Sequence, residues 1–150
     1  AAGDITGFSM LAHTAIREGE VAINHIVGGS DDRMRYDSVP AVVYMHPEIA
    51  GVGATEEKLR AEGRYYRVLK LPMAYAGRYV VENEQAPGLC KVLVDENDTI
   101  LGCHILGNPA SELILLAGIA VTDRSSIEDF RRHIFPHPTA WEILHEVLFS

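Results

Sequence analysis

Two apolar segments joined by a short acidic turn constrain the fold of this chain most strongly. Leu89–Val94 is almost continuously apolar, and Thr99–Leu106 follows directly after Glu96-Asn97-Asp98. Apolar runs of about four to eight residues bounded by turn residues are typical of strands, and so short a connection pairs two strands antiparallel. The sequence therefore predicts a β-hairpin in the second half of the chain.

Helices and further strands are expected on both sides of this hairpin. The predicted helices are Gly7–Val27, Thr55–Ala61 with Thr55 as N-cap, Leu113–Val121, a short helix from Ser125 or Ser126 through Phe130, and Pro138–Leu148. The other predicted strands are Ala41–Tyr44, Tyr65–Pro72 and Tyr79–Asn83. Ser30–Asp37 is predicted to be a polar loop. Antiparallel strands gathered between helices are typical of α+β proteins. We therefore expect an α+β fold with helices covering one face of an antiparallel sheet.

Composition and charge limit the partners of the chain. The 150 residues are 47% hydrophobic, which is enough for a sizeable core. The formal charge of −8 and the absence of a Lys/Arg cluster predict that nucleic acid is not a partner. No apolar run approaches the ~20 residues that span a bilayer, so no membrane segment is expected. The acidic balance is compatible with a cytoplasmic location.

Other residue types predict little binding chemistry. Seven histidines are present, but His133 and His137 are separated by a proline and have no companion at zinc-site spacing, so no metal is expected. Gly51-x-Gly53 lacks the strand and helix of a dinucleotide-binding motif. Cys90 and Cys103 lie on the two strands of the predicted hairpin, and we expect two reduced, buried thiols.

The segment His137-Pro138-Thr139-Ala140-Trp141-Glu142 contains the strongest candidate for catalysis. Proline is favoured at the first helical position, so we expect His137 at a helix N-terminus with Glu142 one turn further on. The helix dipole disfavours an imidazolium by about 0.3–1 kcal/mol, whereas a charge-assisted hydrogen bond favours it by about 1.5–3 kcal/mol. The pair could therefore act as a general base. Alternatively, His137 is a turn residue and Glu142 a solvated carboxylate.

Several segments together resemble the C-terminal third of the flavin-dependent pyridine-nucleotide disulfide oxidoreductases, and within them the dihydrolipoyl dehydrogenases most closely. The matching segments are Ala2-Gly3-Asp4, Met10-Leu11-Ala12-His13, Val43-Tyr44-Met45-His46-Pro47-Glu48, Ile100-Leu101-Gly102, Ala110-Ser111-Glu112-Leu113-Ile114, and His137-Pro138-Thr139 with Glu142. They occur in the family's order and span almost the entire chain, and the last is the most specific. The chain opens without a starting Met, which is expected of a piece of a longer protein.

The resemblance implies a fold and a role for each part. It implies that residues 1–30 are the C-terminal end of an FAD-binding domain and that residues 31–150 are the dimerisation domain of a homodimer. Asp4 would bind the ribityl chain of FAD, and the helix N-terminus at Met10, Leu11, Ala12 and His13 would contact the flavin ring. His137, held by Glu142, would take a proton from a dihydrolipoyl thiol across the dimer interface, after which electrons pass through a disulfide and FAD to NAD.

The resemblance also implies partners and limits. Lipoyl domains and 2-oxo acid dehydrogenase or glycine cleavage complexes are the partners of such enzymes. Phe135 stands where the family often has a second histidine. The family's Cys-x4-Cys pair and its glycine-rich FAD and NAD motifs lie outside this sequence, so the 150-residue chain is expected to be inactive by itself. Another disulfide reductase such as glutathione reductase, or a non-catalytic dimerisation module, stays open as an alternative.

Overall fold

The predicted hairpin forms two adjacent strands of an antiparallel sheet. The computed structural model describes residues 1–29, 31–84 and 86–150. Within them the strands are β1 (Ala41–Val43), β2 (Ile49–Gly53), β3 (Arg67–Pro72), β4 (Leu89–Val94) and β5 (Ile100–Leu106), and the helices are α1 (Ala12–Gly28), α2 (Glu56–Ala61), α3 (Gly77–Glu82), α4 (Ala110–Asp123), α5 (Ile127–Arg131) and α6 (Glu142–Glu146). The sheet order is β1-β2-β5-β4-β3, with every neighbouring pair antiparallel. The predicted α+β class is confirmed.

The described residues divide into two compact units, Ala1–Val39 and Pro40–Ser150. The first contains α1 and short 3-10 helices at Asp4–Thr6 and Tyr36–Ser38. The second contains the sheet and α2 to α6. Ser30, which ends the first predicted domain and begins the predicted polar loop, lies outside the described residues.

The turn between β4 and β5 is held by Asp95. Its Oδ1 accepts the backbone N–H of Asn97 and that of Thr99, each at 2.9 Å. Aspartate is favoured at such positions because its side chain satisfies the amides of the following turn. Beyond the turn, Val92 pairs with Cys103 and Cys90 with Ile105. Both cysteines are buried and free, as the sequence predicts.

The main hydrophobic core lies between one face of the sheet and α4. Leu113, Ile114 and Ala117 of α4 are at most 4% exposed. They belong to the same buried cluster as Val52, Cys103 and Ile105 of the sheet. The spacing of three and four between these α4 residues puts them on one face of the helix, as a helix that covers a sheet requires. The opposite face carries Lys91, whose Nζ lies 2.9 Å from Oε1 of Glu56 at the start of α2.

The connection between β2 and β5 depends on glycine. Gly53 pairs with Gly102 in the register of the two strands and has a φ of 80°. A Cβ at Gly53 would lie 2.3 Å from the Leu101 carbonyl oxygen, and one at Gly102 would lie 2.3 Å from the Ala54 carbonyl oxygen. Only glycine allows two backbones to approach this closely. The sequence patterns do not predict β2, because its glycines lower strand propensity.

One predicted strand is wrong. Tyr79–Asn83 belongs largely to α3, although Tyr79 and the two valines that follow favour a strand by propensity. Tertiary contacts decide the conformation here. Tyr79 is 2% exposed and its hydroxyl donates to the Pro87 carbonyl oxygen at 3.2 Å, whereas Val81 is 78% exposed. A segment with one buried anchor and exposed valines gains more from a short helix beside the sheet than from a sixth strand.

Several helix ends differ from the prediction, and the predicted N-cap at Thr55 agrees with it. The first helix begins at Ala12 rather than Gly7, since Gly7 adopts a left-handed conformation with φ 73° and ends the preceding 3-10 turn. Thr55 caps α2 by accepting the Lys58 N–H, so this predicted N-cap is confirmed. The helix expected to start at Ser125 or Ser126 begins at Ile127, and Ser126 is its N-cap in a capping box with Asp129.

Candidate active site

The C-terminal helix that carries the candidate carboxylate is anchored by apolar side chains. Ile143 and Leu144 of α6 are 0% and 2% exposed, and Val147 and Leu148 of the following 3-10 helix are equally buried. Four buried side chains in six residues fix the axis of this short helix against the core. Glu142, the first residue of α6, therefore starts from a rigid backbone.

The predicted helix Pro138–Leu148 is wrong at its N-terminal end. The helix proper is Glu142–Glu146, followed by a 3-10 turn at Val147–Phe149. The residues before it form a turn in which the Thr139 hydroxyl donates to the Pro136 carbonyl oxygen at 2.8 Å. Pro138 is consequently not the first helical residue, and His137 does not lie at a helix N-terminus. The helix dipole therefore does not act on the imidazole as expected, and the hydrogen bond between His137 and Glu142 decides the protonation of the ring.

His137 and Glu142 are in direct contact. His137 Nδ1 lies 2.7 Å from Glu142 Oε1, and the Thr139 backbone N–H donates to the other carboxylate oxygen at 2.9 Å. The carboxylate is thus held at both oxygens and has one orientation. The His137 side chain is 80% exposed and that of Glu142 is 21% exposed. The pair presents an oriented imidazole to the surface and keeps its carboxylate partner mostly covered.

The contact determines which ring nitrogen can accept a proton. An ionised carboxylate only accepts hydrogen bonds, so Nδ1 of His137 carries the hydrogen that Glu142 receives. In the neutral ring the lone pair is then on Nε2, on the side of the imidazole away from Glu142. When Nε2 takes up a proton, the positive charge faces the carboxylate and is stabilised by it. This is the arrangement that a general base requires.

Hydrogen bonds keep Glu142 ionised. The Thr139 amide, followed by the His137 ring, lowers the pKa of the Glu142 carboxyl below its usual value. A group whose pKa is lower in the folded chain contributes stability above its unfolded pKa and loses that stability as the pH falls through the folded pKa.

Glu142→Gln is therefore expected to flatten the acid side of the stability profile. As the pH falls below the usual range of a glutamate carboxyl, the wild-type chain should lose more unfolding free energy than this variant, because only the wild type protonates a hydrogen-bonded carboxylate there. Urea unfolding followed by the fluorescence of Trp141, the single tryptophan, measures both slopes. Glu146→Gln, at the end of the same helix, serves as the control. Equal slopes for wild type and Glu142→Gln would contradict the assignment.

Aromatic side chains pack behind the turn that carries His137. Phe135 lies between Phe130 and His145, with ring centroids 5.7 and 5.3 Å away, and His145 in turn contacts Phe149 at 5.0 Å. Contacts between tilted rings at these distances add to the energy of burial. Phe135, which stands where the resembling family often has a histidine, therefore packs against neighbouring rings and is partly buried against the core.

The candidate flavin-contacting residues belong to the other unit. Asp4 is exposed at the start of the 3-10 helix Asp4–Thr6, and Leu11 is the N-cap of α1, followed by Ala12 and His13 in its first turn. Met10 is 76% exposed. Leu11 makes no side-chain capping hydrogen bond to α1. Asp4 and the α1 N-terminus are joined by Glu18, a residue that the sequence patterns did not single out.

Two positioning groups were missed from sequence. Thr139 acts through its backbone amide, although Thr-x-x-Glu over residues 139–142 is the pattern of a capping box and gave a usable signal. Glu18 gave none, because a glutamate on an amphipathic helix is usually solvated. Among the described residues, no group of three or more His, Cys, Asp or Glu side chains is placed to hold a metal ion. No helix in those parts of the chain is long and apolar enough to cross a membrane.

Comparison with known proteins places this geometry in a family. Residues 39–148 match the pyridine nucleotide-disulphide oxidoreductase dimerisation domain. The chain is 46% identical to dihydrolipoyl dehydrogenase 1 of Arabidopsis thaliana over 152 aligned positions, covering 100% of this chain and 29% of that protein. It is 40% identical to dihydrolipoyl dehydrogenase 3 of Pseudomonas putida, covering 99% of this chain and 32% of that protein. It therefore spans about three tenths of the length of these relatives.

Solved structures share the fold. LpdA from Mycobacterium tuberculosis superposes with a TM-score of 0.92 at 28% identity, covering 99% of this chain and 32% of that one. The HOCl-induced flavoprotein disulfide reductase RclA from Escherichia coli, as its Cu(II) complex, superposes with a TM-score of 0.86 at 28% identity, covering 99% and 34%. The match over residues 39–148 and the whole-chain similarity lead to one conclusion: the chain belongs to the pyridine nucleotide-disulphide oxidoreductase dimerisation domain family.

Proposed function

We propose that this chain is the C-terminal part of a homodimeric, NAD-dependent dihydrolipoyl dehydrogenase. In this proposal residues 1–30 end the FAD-binding domain and residues 31–150 form the dimerisation domain. Relatives of 40% and 46% identity that bear this enzyme's name support it. The observation that carries the proposal is the 2.7 Å contact between His137 Nδ1 and Glu142 Oε1, which makes an exposed imidazole a base.

The proposed reaction is the oxidation of protein-bound dihydrolipoamide. FAD held at the first unit would supply the redox chemistry that links the reduced form of an enzyme disulfide, the dithiol, to NAD. His137 Nε2 takes the proton of one dihydrolipoyl thiol, and the resulting thiolate attacks one sulfur of the enzyme disulfide, which breaks the S–S bond, releases the other enzyme sulfur as a thiolate and forms a mixed disulfide. The second dihydrolipoyl sulfur then displaces the enzyme sulfur from the mixed disulfide, which closes the lipoyl disulfide and leaves both enzyme cysteines reduced. Glu142 stabilises the imidazolium while it holds that proton. The disulfide lies outside this sequence, and we propose that it belongs to the other subunit of the dimer.

The residues of the first unit fit an FAD ligand. The ribityl chain of FAD carries hydroxyl groups, and the exposed Asp4 carboxylate is an acceptor for them. The flavin ring carries carbonyl oxygens, and backbone amides at the start of α1 are donors of the kind that such oxygens accept. Asp4, Met10, Leu11, Ala12 and His13 are therefore proposed to hold FAD. The 150-residue chain supplies only part of that site.

Apolar surface on the second unit supports the homodimer. On α4, Leu115 and Ile119 are 60% and 48% exposed, and Ile134 after α5 is 98% exposed. Near them lies an apolar cavity of about 380 Å³ lined in part by Phe130 and Trp141. Contiguous exposed apolar residues on a folded unit mark an interaction surface. The wider partners of the proposal are lipoyl domains and the 2-oxo acid dehydrogenase or glycine cleavage complexes, and its location is the cytoplasm.

The full-length protein tests the proposal. Purified protein is expected to carry flavin, to elute as a dimer and to reduce NAD with dihydrolipoamide much faster than it reduces glutathione disulfide with a reduced nicotinamide nucleotide. Faster turnover of glutathione disulfide would replace the proposed substrate with that of a glutathione reductase. A dimer with neither activity would identify a non-catalytic dimerisation module.

A further inference from the structure

Glu18 is a buried acid that the proposed chemistry does not use. It lies in the second turn of α1 and is 5% exposed. Its Oε2 accepts the Gly3 backbone N–H at 2.5 Å, and its Oε1 accepts the Tyr36 hydroxyl at 2.7 Å. The Thr6 hydroxyl adds a longer bond to Oε1, at 3.3 Å. A buried carboxylate is costly unless several donors satisfy it, so three neutral donors on one acid indicate a specific arrangement.

The donors come from two segments, one that precedes α1 in the sequence and one that follows it. Gly3 directly precedes Asp4, and Thr6 ends the same 3-10 turn. Tyr36 comes from the far end of the unit. Glu18 therefore fastens the Asp4 turn to the helix whose first residues include Ala12 and His13.

Two further contacts restrict the same region. The hydroxyls of Ser9 and Thr14 lie 2.9 Å apart, which ties the residues before α1 to its first turn. Gly3 has a φ of 82°, and a Cβ there would lie 3.4 Å from that of Ala15. The chain thus runs close against α1 at the point where Glu18 receives the Gly3 amide. The segment has little room to shift Asp4 while these bonds hold.

The bonds also keep the acid charged. The Tyr36 hydroxyl, followed by the Gly3 amide, lowers the pKa of the Glu18 carboxyl, and the same bond raises the pKa of Tyr36. An ionised carboxylate accepts at both oxygens at neutral pH, and both donors can then be held together.

We propose that Glu18 is a positioning residue for the flavin, which holds the Asp4 carboxylate at a fixed place relative to the first-turn amides of α1. This inference rests on the proposed binding of FAD by those groups. Glu18 itself touches no cofactor in this proposal; it acts through Gly3 and Thr6, and Tyr36 orients it. A carboxylate and a set of amides bind one rigid ligand well only when their separation is fixed beforehand.

The test uses the full-length protein with its bound FAD. Glu18→Gln keeps the size of the side chain but places an NH₂ group against one of the N–H or O–H donors. The dissociation constant for FAD, measured by titrating apoprotein and following flavin fluorescence, is expected to rise about tenfold or more. The visible absorption bands of the bound flavin should lose resolution. Turnover should recover on addition of excess FAD.

Controls separate positioning from folding. Glu20→Gln removes an exposed acid that pairs with Arg17 at 3.1 Å on the same helix, and it should leave FAD affinity unchanged. Tyr36→Phe removes one donor without introducing a mismatched group, and it decides the question if Glu18→Gln fails to fold. Its FAD dissociation constant should rise by a smaller factor, with a shifted flavin spectrum.

The outcomes distinguish this inference from the proposed function. If the wild type binds FAD and both Glu18→Gln and Tyr36→Phe bind it with unchanged affinity and spectrum, Glu18 is only structural and the inference is overturned, while the proposed function stands. If the wild-type full-length protein binds no FAD at all, both fail.

Discussion

His137→Gln in the full-length protein is expected to lower turnover with dihydrolipoamide by about 10²-fold or more, the loss typical of removing a general base. Glutamine can occupy the space and bond to Glu142, but its amide cannot take up a proton at neutral pH. The Michaelis constant for dihydrolipoamide should change much less, since the imidazole acts on the proton and not on the bulk of the substrate. Steady-state formation of NADH measures both quantities.

The control for this prediction is His133→Gln. His133 lies four residues earlier and is also exposed, and its Nδ1 lies 3.1 Å from the Phe130 carbonyl oxygen. Its replacement should leave turnover within about twofold of the wild type. The flavin content of His137→Gln should be normal, because His137 is not among the proposed FAD contacts. A fully active His137→Gln enzyme would refute the assignment of the base.

The orienting carboxylate should matter less than the base itself. In Glu142→Gln the imidazole keeps Nε2 but loses the negative charge that stabilises the imidazolium, so turnover should fall between the wild-type value and that of His137→Gln. The two losses should not add in the double variant, because both residues act through one proton transfer. Additive losses would show that Glu142 and His137 act independently.

Leu113→Ala is expected to have the largest effect on stability, about 2–5 kcal/mol lost from the unfolding free energy of the second unit. Leu113 is 0% exposed on the face of α4 that packs against the sheet. Truncation removes buried methyl groups and leaves a cavity that the surrounding strands close only in part. Urea unfolding of the 150-residue chain, followed by Trp141 fluorescence, measures the change.

Leu115→Ala is the matched control for this substitution. It makes the same chemical change on the same helix, but Leu115 is 60% exposed. Its effect on the unfolding free energy should stay below about 1 kcal/mol. The unfolding free energy of both variants should be measured at two protein concentrations. A destabilisation caused by lost dimer contacts depends on protein concentration, whereas one caused by a cavity in the core does not. Equal effects of the two substitutions would contradict the position of α4.

The sequence predicted the parts of the fold that depend on local pattern. The hairpin of β4 and β5, the cap at Thr55 and the buried helix α4 follow from apolar runs, turn residues and short-range hydrogen bonds. These signals are strong because each is satisfied within a few residues. The contact between His137 and Glu142 belongs to the same class, since five residues separate the two side chains.

Elements that depend on distant partners were predicted poorly. The strand β2 was not predicted, because its glycines lower strand propensity. Gly53 is required only because β5 lies against it, where Gly53 pairs with Gly102 and the two backbones approach closely. Tyr79–Asn83 was assigned the wrong conformation because the burial of Tyr79 beside the Pro87 carbonyl has no local signature. Propensity spans at most about 1 kcal/mol per residue, and one well-placed tertiary contact outweighs it.

The amino-acid sequence alone determined the class of fold, the pairing of the central strands and the contact between His137 and Glu142, because the interactions responsible are short-range or recur at the period of a helix or a strand. The tertiary structure alone decided that α6 begins at Glu142 and that the Thr139 amide fixes the Glu142 carboxylate. It also decided that Glu18 accepts hydrogen bonds from Gly3, Thr6 and Tyr36. Each of these depends on which donors the folded backbone brings within about 3 Å of an acceptor. Burial makes such bonds obligatory, and burial is a property of the whole chain.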